Sequence, residues 1–184
     1  MAQVFDAIDE RRRAFIEQQH LYFVATAATH GRVNVSPKGL DTLRVLGPNR
    51  VIWLNLTGSG NESSAHLREN PRMTLMFCSF AREPLILRLY GTAREVQPTD
   101  AAWSDLYGHF DPRPGARQIY DLDVDLVQTS CGYGVPYLSF DDDRPLLEDW
   151  AIKKGPDGIA EYWQQKNLTS IDGMPTGLGA PTDA

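Results

Sequence analysis

The stretch VIWLNLTGSGNESSAHLRENPRMTLMFCSF, residues 51–80, contains the pattern that decides the fold. Its apolar ends, 51–56 and 72–80, predict two β-strands. Between them the polar run TGSGN predicts a flexible loop, and ESSAHLREN predicts a short helix. That helix is expected to end at Asn70, because the residue before Pro71 disfavours helical geometry. The stretch therefore predicts two strands that are joined by a loop and a short helix.

Further strand patterns flank this stretch on both sides. The run YDLDVDLVQ at 120–128 alternates apolar with acidic residues, which is typical of a strand with one solvated face. Most connections are too short to contain a crossover helix, so a parallel sheet is disfavoured. We expect a mostly β fold with short helices, in which six to seven strands form a small barrel or sandwich. The other predicted strands are 21–28, 33–37, 84–96 and one that follows the glycine-containing turn within CGYGVPYLSF at 131–140, with a short apolar piece at 43–46.

Helices are few, and the chain ends in a segment of different composition. Residues 4–19 predict an amphipathic helix, and a second helix is expected at about 98–107. One or two short helices are expected within 144–165. The sequence SIDGMPTGLGAPTDA near the C-terminus is rich in glycine and proline. We therefore expect a single domain over 1–165 and an extended tail over 166–184, with disorder in its last residues.

Composition and charge exclude several classes of function. The chain has 18 Lys and Arg against 24 Asp and Glu, a net charge of −6, so neither nucleic acid nor an anionic membrane is an expected partner. No run approaches the roughly 20 apolar residues of a membrane span. The charged start MAQVFDAIDERRRAF is unlike a signal peptide. Cys78 and Cys131 lie far apart and form neither a disulfide framework nor a zinc pattern. We expect a cytoplasmic protein without a metal site.

Three polar segments are candidates for ligand binding. The first is Ser36–Gly39 at a strand end, where the ammonium group of Lys38 suits an anion such as phosphate, although a surface turn explains it equally well. The second, Asn55–Ser64, joins a strand to a helix start, where backbone N–H groups bind anions. Its side chains can equally serve only as helix caps. The third, Ser130–Pro136, has glycines that let the backbone approach a flat ligand, or else form a bulge.

Conventional catalytic sets are missing from the sequence. There is no GxSxG, HExxH or GxxxxGK[ST] motif. His66, on the short helix, suits an interior or interface position better than catalysis. Cys131 is either a reactive thiol or a buried inert one, and we favour the second, while Cys78 is expected in the core. The residues thus offer anion and ring binding without a nucleophile, as in proteins whose cofactor supplies the chemistry.

Four stretches carry a resemblance to a known family. They are NVSPKGLDTLRVL, VIWLNLTGSGNESSAHLRENPRMTLMFCSF, PLILRLYGTAREV and VDLVQTSCGYGVPYLSF, all within about residues 21–140. The chain resembles the pyridoxamine 5'-phosphate oxidase-like superfamily, whose members have the FMN-binding split β-barrel. The segment AHLRENPRMTLMF is the most specific part of this resemblance. It is strongest for a branch that also carries the SCGYGVP turn and the SIDGMP tail.

The resemblance implies a homodimer with two FMN sites at the subunit interface. It places the flavin against the strand that bears SPKG and against the loop and helix after VIWLNL. No catalytic residue is assigned. We also expect the SCGYGVP turn to line the ligand pocket through Gly132, Tyr133 and Gly134, with Tyr133 stacking or donating a hydrogen bond. The cofactor-binding residues that the resemblance implies are Ser36, Lys38, Leu54, Asn55, Asn61, Glu62, Ser63 and Ser64.

Two departures from the family pattern bear on function. The oxidase proper places an Arg-Lys pair on the FMN phosphate, where this chain has Glu62 and Ser63, and a negative Glu62 repels phosphate. The oxidase's C-terminal segment, rich in Arg and Pro, has no counterpart in residues 144–184. We therefore do not expect oxidation of pyridoxamine phosphate. The expected function is an FMN-dependent oxidoreductase for an unknown small molecule, and the alternatives are flavin or small-ligand binding without turnover, or a deazaflavin-dependent reductase.

Overall fold

The computed structural model describes residues 2–179 of the 184-residue chain. These residues form eight strands and four helices. In chain order they are β1 (Gln3–Phe5), α1 (Glu10–Glu17), β2 (Tyr22–Thr26), β3 (Asn34–Lys38), β4 (Leu43–Gly47), β5 (Arg50–Leu56), α2 (Glu62–Leu67), β6 (Arg72–Cys78), β7 (Ile86–Val96), α3 (Trp103–Tyr107), β8 (Ala116–Ser130) and α4 (Leu146–Lys166).

The eight strands belong to one antiparallel sheet. Seven of them follow the order β3-β2-β6-β7-β8-β5-β4, and β1 pairs with the end of β8. β8 has 15 residues and is the centre of the sheet, because it pairs with β7, β5 and β1 at once. The architecture is a mostly β split barrel with few short helices. The predicted fold class is confirmed.

The predictions for the first and the last strand of the sheet were wrong. Residues 3–5 form β1 rather than the start of a helix, because they pair with 127–129 of β8. Helix α1 begins only after Asp9, whose carboxylate accepts the Arg12 backbone N–H at 2.9 Å. No strand forms within 131–140, where the segment turns at Gly132 and leaves the sheet. The described residues therefore contain eight strands instead of six to seven.

The core fills the inner side of the curved sheet. Trp53 of β5 stacks on Tyr120 of β8 with ring centroids 4.4 Å apart, and both are fully buried. A smaller cluster packs Leu106 of α3 against Leu54 and Ile119 on the other face of these two strands. Burial of one such apolar side chain stabilises the fold by about 1.5–3 kcal/mol. The two clusters therefore fix β5 and β8, which carry several polar residues described below.

The alternation predicted for β8 holds only in part. Asp123 is exposed as expected, but Asp121 is buried where it pairs with Arg50 and Arg94, and the apolar side then shifts phase. Tyr120, Leu122 and Val124 are buried, but the next buried apolar residue is Val127 and not Leu126. A bulge causes the shift, because Tyr90 pairs with Leu126 while the next residue of β7, Gly91, pairs with Val124. A side chain at Gly91 would collide with the Asp123 backbone, so the strands approach closely here only with glycine.

The C-terminal part of the chain folds back onto the barrel. α4 consists of two helical segments, because Gly155 has a φ of 68° and the second segment starts at Pro156. Residues 168–179 do not run as a simple extended tail, since Thr169 bridges Pro175 across a turn. The predicted disorder at the end of the tail lies outside the described residues. Among the described helices, none is long and apolar enough to cross a membrane.

Candidate functional site

A cavity of about 810 Å³ opens on one side of the barrel. Its walls are β3, the loop after β5, the first turn of α2, Arg117 of β8 and residues 169–171. Small-molecule and cofactor sites in proteins have volumes of about 300–1,000 Å³. The cavity is therefore large enough for a cofactor-sized ligand, and it is built mainly from the strand and the loop that the sequence singles out.

Lys38 is a cation on the floor of this cavity. Its ammonium group donates to Asn55 Oδ1 at 3.0 Å and lies 5.1 Å from the centre of the Trp53 ring. Burial, with repulsion from Arg117, lowers the pKa of Lys38 from its usual value to about 8. An amide oxygen and a ring face compensate the charge only in part, so Lys38 offers its remaining hydrogen-bond donors to an anion.

Arg117 is a second cation at the same cavity, and it is only 2% exposed. Its guanidinium group donates to Gln118 Oε1 at 2.8 Å, to Asn167 Oδ1 at 2.6 Å and to the Gly60 carbonyl at 3.0 Å. Burial lowers its pKa. Within residues 2–179 neither Arg117 nor Lys38 forms an ion pair with a carboxylate. A buried and a partly buried cation therefore line the cavity without an ion pair in the described residues, although the charge of the partly buried Glu95 favours the charged form of Arg117 and acts to raise its pKa.

A buried network of amide and hydroxyl side chains, with the carboxyl group of Glu95 beside it, positions these cations. Burial raises the pKa of Glu95. Asn55 Nδ2 donates to Gln118 Oε1 at 2.9 Å, and Gln118 Nε2 donates to Asn61 Oδ1 and to Ser64 Oγ, both at 2.8 Å. The Ser64 hydroxyl also contacts the Tyr120 hydroxyl at 2.7 Å. Because most of its members bond at least two others, this network holds Asn55 in the orientation that presents its oxygen to Lys38.

A neutral polar corner lies at the other side of the cavity. Asn34 Nδ2 donates to Ser63 Oγ at 3.3 Å, and Ser36 Oγ donates to Asn34 Oδ1 at 3.0 Å. His66 is buried, and its Nδ1 lies 3.0 Å from Thr26 Oγ1. Its Nε2 is buried without a hydrogen-bond partner in the described part of the chain. The interior position expected for His66 is therefore what the structure has.

The structure brings most of the predicted cofactor residues to one cavity. Leu54 and Ser64 are the exceptions, since Leu54 packs in the smaller core cluster and Ser64 belongs to the buried network. Asn61 begins α2, but its side chain makes no capping hydrogen bond, because its oxygen accepts from Gln118 and Ser64. The predicted residues that line the cavity are Ser36, Lys38, Asn55, Asn61, Glu62 and Ser63.

Glu62 and Arg44 are committed to contacts within the protein. Both carboxylate oxygens of Glu62 accept the Ile171 backbone N–H, at 3.1 and 3.2 Å. Arg44 pairs with Asp41 at 2.8 Å and does not line the cavity. Arg32 also lines the cavity but pairs with Asp172. Among the described residues, Lys38 and Arg117 are therefore the lysine and arginine of the cavity that form no ion pair.

The SCGYGVP turn lies apart from the cavity of its own chain. Tyr133 is 83% exposed, and Gly132, with a φ of 67°, packs against the backbone of Leu85. None of Gly132, Tyr133 and Gly134 lines the cavity, so their place in a ligand pocket stays a prediction. Cys131 is exposed, which corrects the expectation of a buried thiol, whereas Cys78 is buried as expected. Burial raises the pKa of the Cys78 thiol.

Sequence patterns missed two parts of the site. Arg117 precedes the apolar alternation of β8 and belongs to no motif, so nothing in the sequence marks it as buried. Residues 169–171 reach the cavity through long-range contacts, among them the hydrogen bond from Arg117 to the Asn167 side chain, which no local pattern predicts. Within the described residues, no group of three or more His, Cys, Asp and Glu side chains is placed to hold a metal ion.

The fold and the cavity together define a split-barrel protein with two cations at a cavity of cofactor size. The sequence profile of the pyridoxamine 5'-phosphate oxidase family matches residues 8–131. The chain belongs to this family. It is 37% identical over 191 residues to the pyridoxamine 5'-phosphate oxidase family protein ustO of Aspergillus flavus, an alignment that covers 93% of this chain and 76% of that protein.

Solved structures share the fold at low sequence identity. A putative pyridoxamine 5'-phosphate oxidase from Lactobacillus delbrueckii matches with a TM-score of 0.53 at 18% identity, over 67% of this chain and 94% of the other. HupZ of Group A Streptococcus matches with a TM-score of 0.52 at 20% identity, over 65% of this chain and 91% of the other. At these identities the likeness extends to the fold alone.

Proposed function

We propose that the protein is a flavin-binding oxidoreductase that acts on a small molecule, with FMN as its cofactor. The observation that carries this proposal is that two cations, the buried Arg117 and the partly buried Lys38, line one cavity without an ion pair in the described residues. Buried charges in proteins are normally paired, so a site of this kind favours an anionic ligand. Family membership makes a phosphorylated flavin the first candidate.

The residues present fit such a cofactor. Lys38 and Arg117 would hold its anionic group, because both line this cavity and hydrogen bonds from a charged donor to an anion are strong. Asn34, Ser36 and Ser63 offer hydrogen bonds to its neutral polar groups. When bound, the flavin carries the electrons of the reaction. The protein orients the cofactor and supplies neutral hydrogen-bond donors and acceptors. Because the pKa of Lys38 is about 8, its ammonium group holds a proton that can be released close to neutral pH.

A second copy of the chain would complete the site. β3 lies at one edge of the sheet. Val33, just before it, and Val35, within it, line the cavity and are 70% and 60% exposed. Exposed apolar side chains on an unpaired edge strand favour an interface. The predicted role of the Gly132–Gly134 turn in ligand binding also requires a second copy, since the turn does not reach its own cavity. We therefore propose a homodimer with the cavities at its interface.

The test of the flavin proposal is the replacement of Lys38. FMN and riboflavin are titrated into wild type and Lys38→Ala and followed by flavin fluorescence. FMN binding should weaken about ten- to hundredfold, because a charge-assisted hydrogen bond is worth about 1.5–3 kcal/mol. Riboflavin, which lacks the phosphate, should bind both proteins almost equally. The matched control is Lys153→Ala, which removes an exposed lysine of α4 and should change neither affinity.

Two results would count against this assignment. Equal losses for FMN and riboflavin would mean that Lys38 acts on the ring or on the fold rather than on the phosphate. Failure of both ligands to bind wild type would leave the split barrel and remove the flavin. Sedimentation at micromolar concentration tests the dimer, with twice 20.6 kDa as the expected mass.

Ligand binding without turnover is the second candidate. The commitment of Glu62 to the Ile171 N–H, at the position where the oxidase proper has a basic residue, favours it, because this change weakens the resemblance to a working oxidase site. Steady consumption of NAD(P)H with an acceptor would separate an oxidoreductase from a binding protein. The mass of a copurifying small molecule would distinguish FMN from a deazaflavin.

A further inference from the structure

The segment after α4 forms one wall of the cavity. Asn167 is its anchor, because this residue is fully buried and its Nδ2 donates to the Gly58 carbonyl at 3.1 Å while its Oδ1 accepts from Arg117. The Thr176 hydroxyl donates to the Asn167 carbonyl at 2.7 Å, which closes the segment into a loop. We call residues 169–174 of this loop the C-terminal wall.

The C-terminal wall has a defined turn but little packing at its tip. Ser170 N donates to the Met174 carbonyl at 2.8 Å, and Gly173 N donates to the Ser170 carbonyl at 3.0 Å. Ser170 is buried, whereas Ile171 is 73% exposed although it lines the cavity. Apolar burial therefore contributes little to the position of the tip, and directional contacts must hold it in place.

Two carboxylates supply these contacts. Glu62 accepts the Ile171 N–H with both oxygens, at 3.1 and 3.2 Å. Asp172 accepts the Arg32 backbone N–H at 2.7 Å and pairs with the Arg32 guanidinium group. The two contacts tie the tip to the start of α2 and to the residues before β3, which are the two walls on either side of it. Glu62 thus serves the shape of the cavity through a main-chain group.

We propose that Glu62 is a positioning and specificity-determining residue: it fixes the C-terminal wall through the Ile171 amide, and its charge excludes a phosphate from that end of the cavity. The anionic group of a ligand then binds at Lys38 and Arg117, and a neutral part of the ligand lies beside the wall. Phosphate selection depends on the flavin binding proposed above, whereas the position of the wall does not.

Amide exchange in the ligand-free protein tests the wall. Glu62→Ala should speed hydrogen exchange at Ile171 about tenfold or more, because a hydrogen bond to a charged acceptor is lost. Glu62→Gln keeps an acceptor oxygen and should leave this amide within about threefold of wild type. Glu83→Gln, in the turn between β6 and β7, removes the same charge elsewhere and is the control. Unchanged exchange at Ile171 in Glu62→Ala would overturn the proposal.

Flavin titration tests whether the charge of Glu62 selects against a phosphate. Glu62→Gln should strengthen FMN binding about fivefold relative to riboflavin, since a negative charge that lines the same cavity and repels the phosphate is removed. Glu62→Ala should weaken riboflavin, because the wall is released. Equal gains for both flavins in Glu62→Gln would refute selection by charge. If neither flavin binds wild type, the flavin proposal fails, and the exchange rates at Ile171 still decide whether Glu62 fixes the wall.

Discussion

Strand β8 passes through two charge clusters that differ in one respect. Each cluster contains two cations, and their centres on the strand are Arg117 and Asp121, four residues apart. At Asp121 the cations Arg50 and Arg94 share a carboxylate, at 2.9 and 2.6 Å. At Arg117 the second cation is Lys38, and neutral amides take the place of the carboxylate. In the first cluster both cations contact the carboxylate directly. In the second, no carboxylate of the described residues lies within ion-pair distance of either cation, and Glu95 acts on Arg117 only from farther away.

The pKa values of the two clusters shift accordingly. Burial alone would raise the pKa of Asp121, but hydrogen bonds from Arg50 and Arg94 outweigh it and lower the pKa overall. The pKa of Lys38 falls because burial disfavours its charge and Arg117 repels it. The protein therefore gains stability from ionisation in the first cluster and loses stability in the second. A cost of this kind is expected where a site is built for a ligand.

Removal of the shared carboxylate should give the largest effect. Asp121→Ala should lower the free energy of unfolding by about 3 kcal/mol, because charge-assisted hydrogen bonds from two arginines are lost. The same contribution should disappear in wild type below about pH 4, since the folded pKa of Asp121 lies below the unfolded value of about 3.9. Urea unfolding of wild type and Asp121→Ala between pH 2 and 7 measures this contribution to the free energy of unfolding.

The neighbouring exposed aspartate provides the control for this comparison. Asp123→Ala changes the same strand two residues away and should cost less than about 0.5 kcal/mol. Similar losses in both variants would show that the Asp121 cluster contributes nothing beyond ordinary surface charge, and the contrast with the Lys38 cluster would then disappear.

Removal of the unpaired cation should have the opposite sign. Lys38→Met should stabilise the ligand-free protein at pH 7 by roughly 1–3 kcal/mol, because a partly buried charge that forms no ion pair in the described residues is removed. The folded pKa, about 8, lies below the unfolded value of about 10.4, so the unfolded state binds more protons in that interval. Wild type should therefore recover stability relative to the variant as pH rises from about 8 to 10.4.

Denaturant unfolding across this pH range, with Lys153→Met as control, measures the difference. A variant that is less stable than wild type at pH 7 would mean that Lys38 has a stabilising partner in the protein, and the anion site would lose its main support. The matching loss of FMN affinity is the experiment proposed above for Lys38→Ala.

Local sequence patterns predicted the strands and the loop side of the site. Lys38 and Asn55 could be predicted as site residues because each lies in or beside a strand whose apolar pattern is interrupted by polar residues. The burial of Arg117 and Asp121 could not be predicted, because a charged residue in a strand is normally assigned to the solvated face. Their burial depends on cations and amides that are distant in sequence, such as Arg50 and Asn167. Tertiary pairing of this kind leaves no periodic signal.

The two ends of the described chain also depend on tertiary contacts that local sequence patterns do not predict. β1 has three residues, too few for a recognisable alternation, and it forms only because the end of β8 is available for pairing. The glycine- and proline-rich segment after α4 has the composition of a tail, yet Asn167 and Glu62 fix it against the cavity. From its composition such a segment is predicted to lack a hydrophobic core. Composition does not predict that single hydrogen bonds anchor it.

The smallest effect is expected beyond both clusters, where β8 ends. Cys131 follows Ser130, the last residue of β8, and it is exposed. Cys131→Ser should change the free energy of unfolding by less than about 0.5 kcal/mol and should leave ligand binding and any turnover intact. In the folded protein, iodoacetamide should label Cys131 and spare Cys78, whose thiol is buried and has a raised pKa.

Alkylation and substitution at this position separate two roles for the turn. If the Gly132–Gly134 turn of a second copy lines the cavity, a bulky group on Cys131 should weaken flavin binding by steric obstruction, although serine at the same position does not. If both leave binding unchanged, the turn is no part of the site. Abolished turnover in Cys131→Ser with the ligand still bound would instead make the thiol a reacting group, because serine preserves its size but not its nucleophilicity.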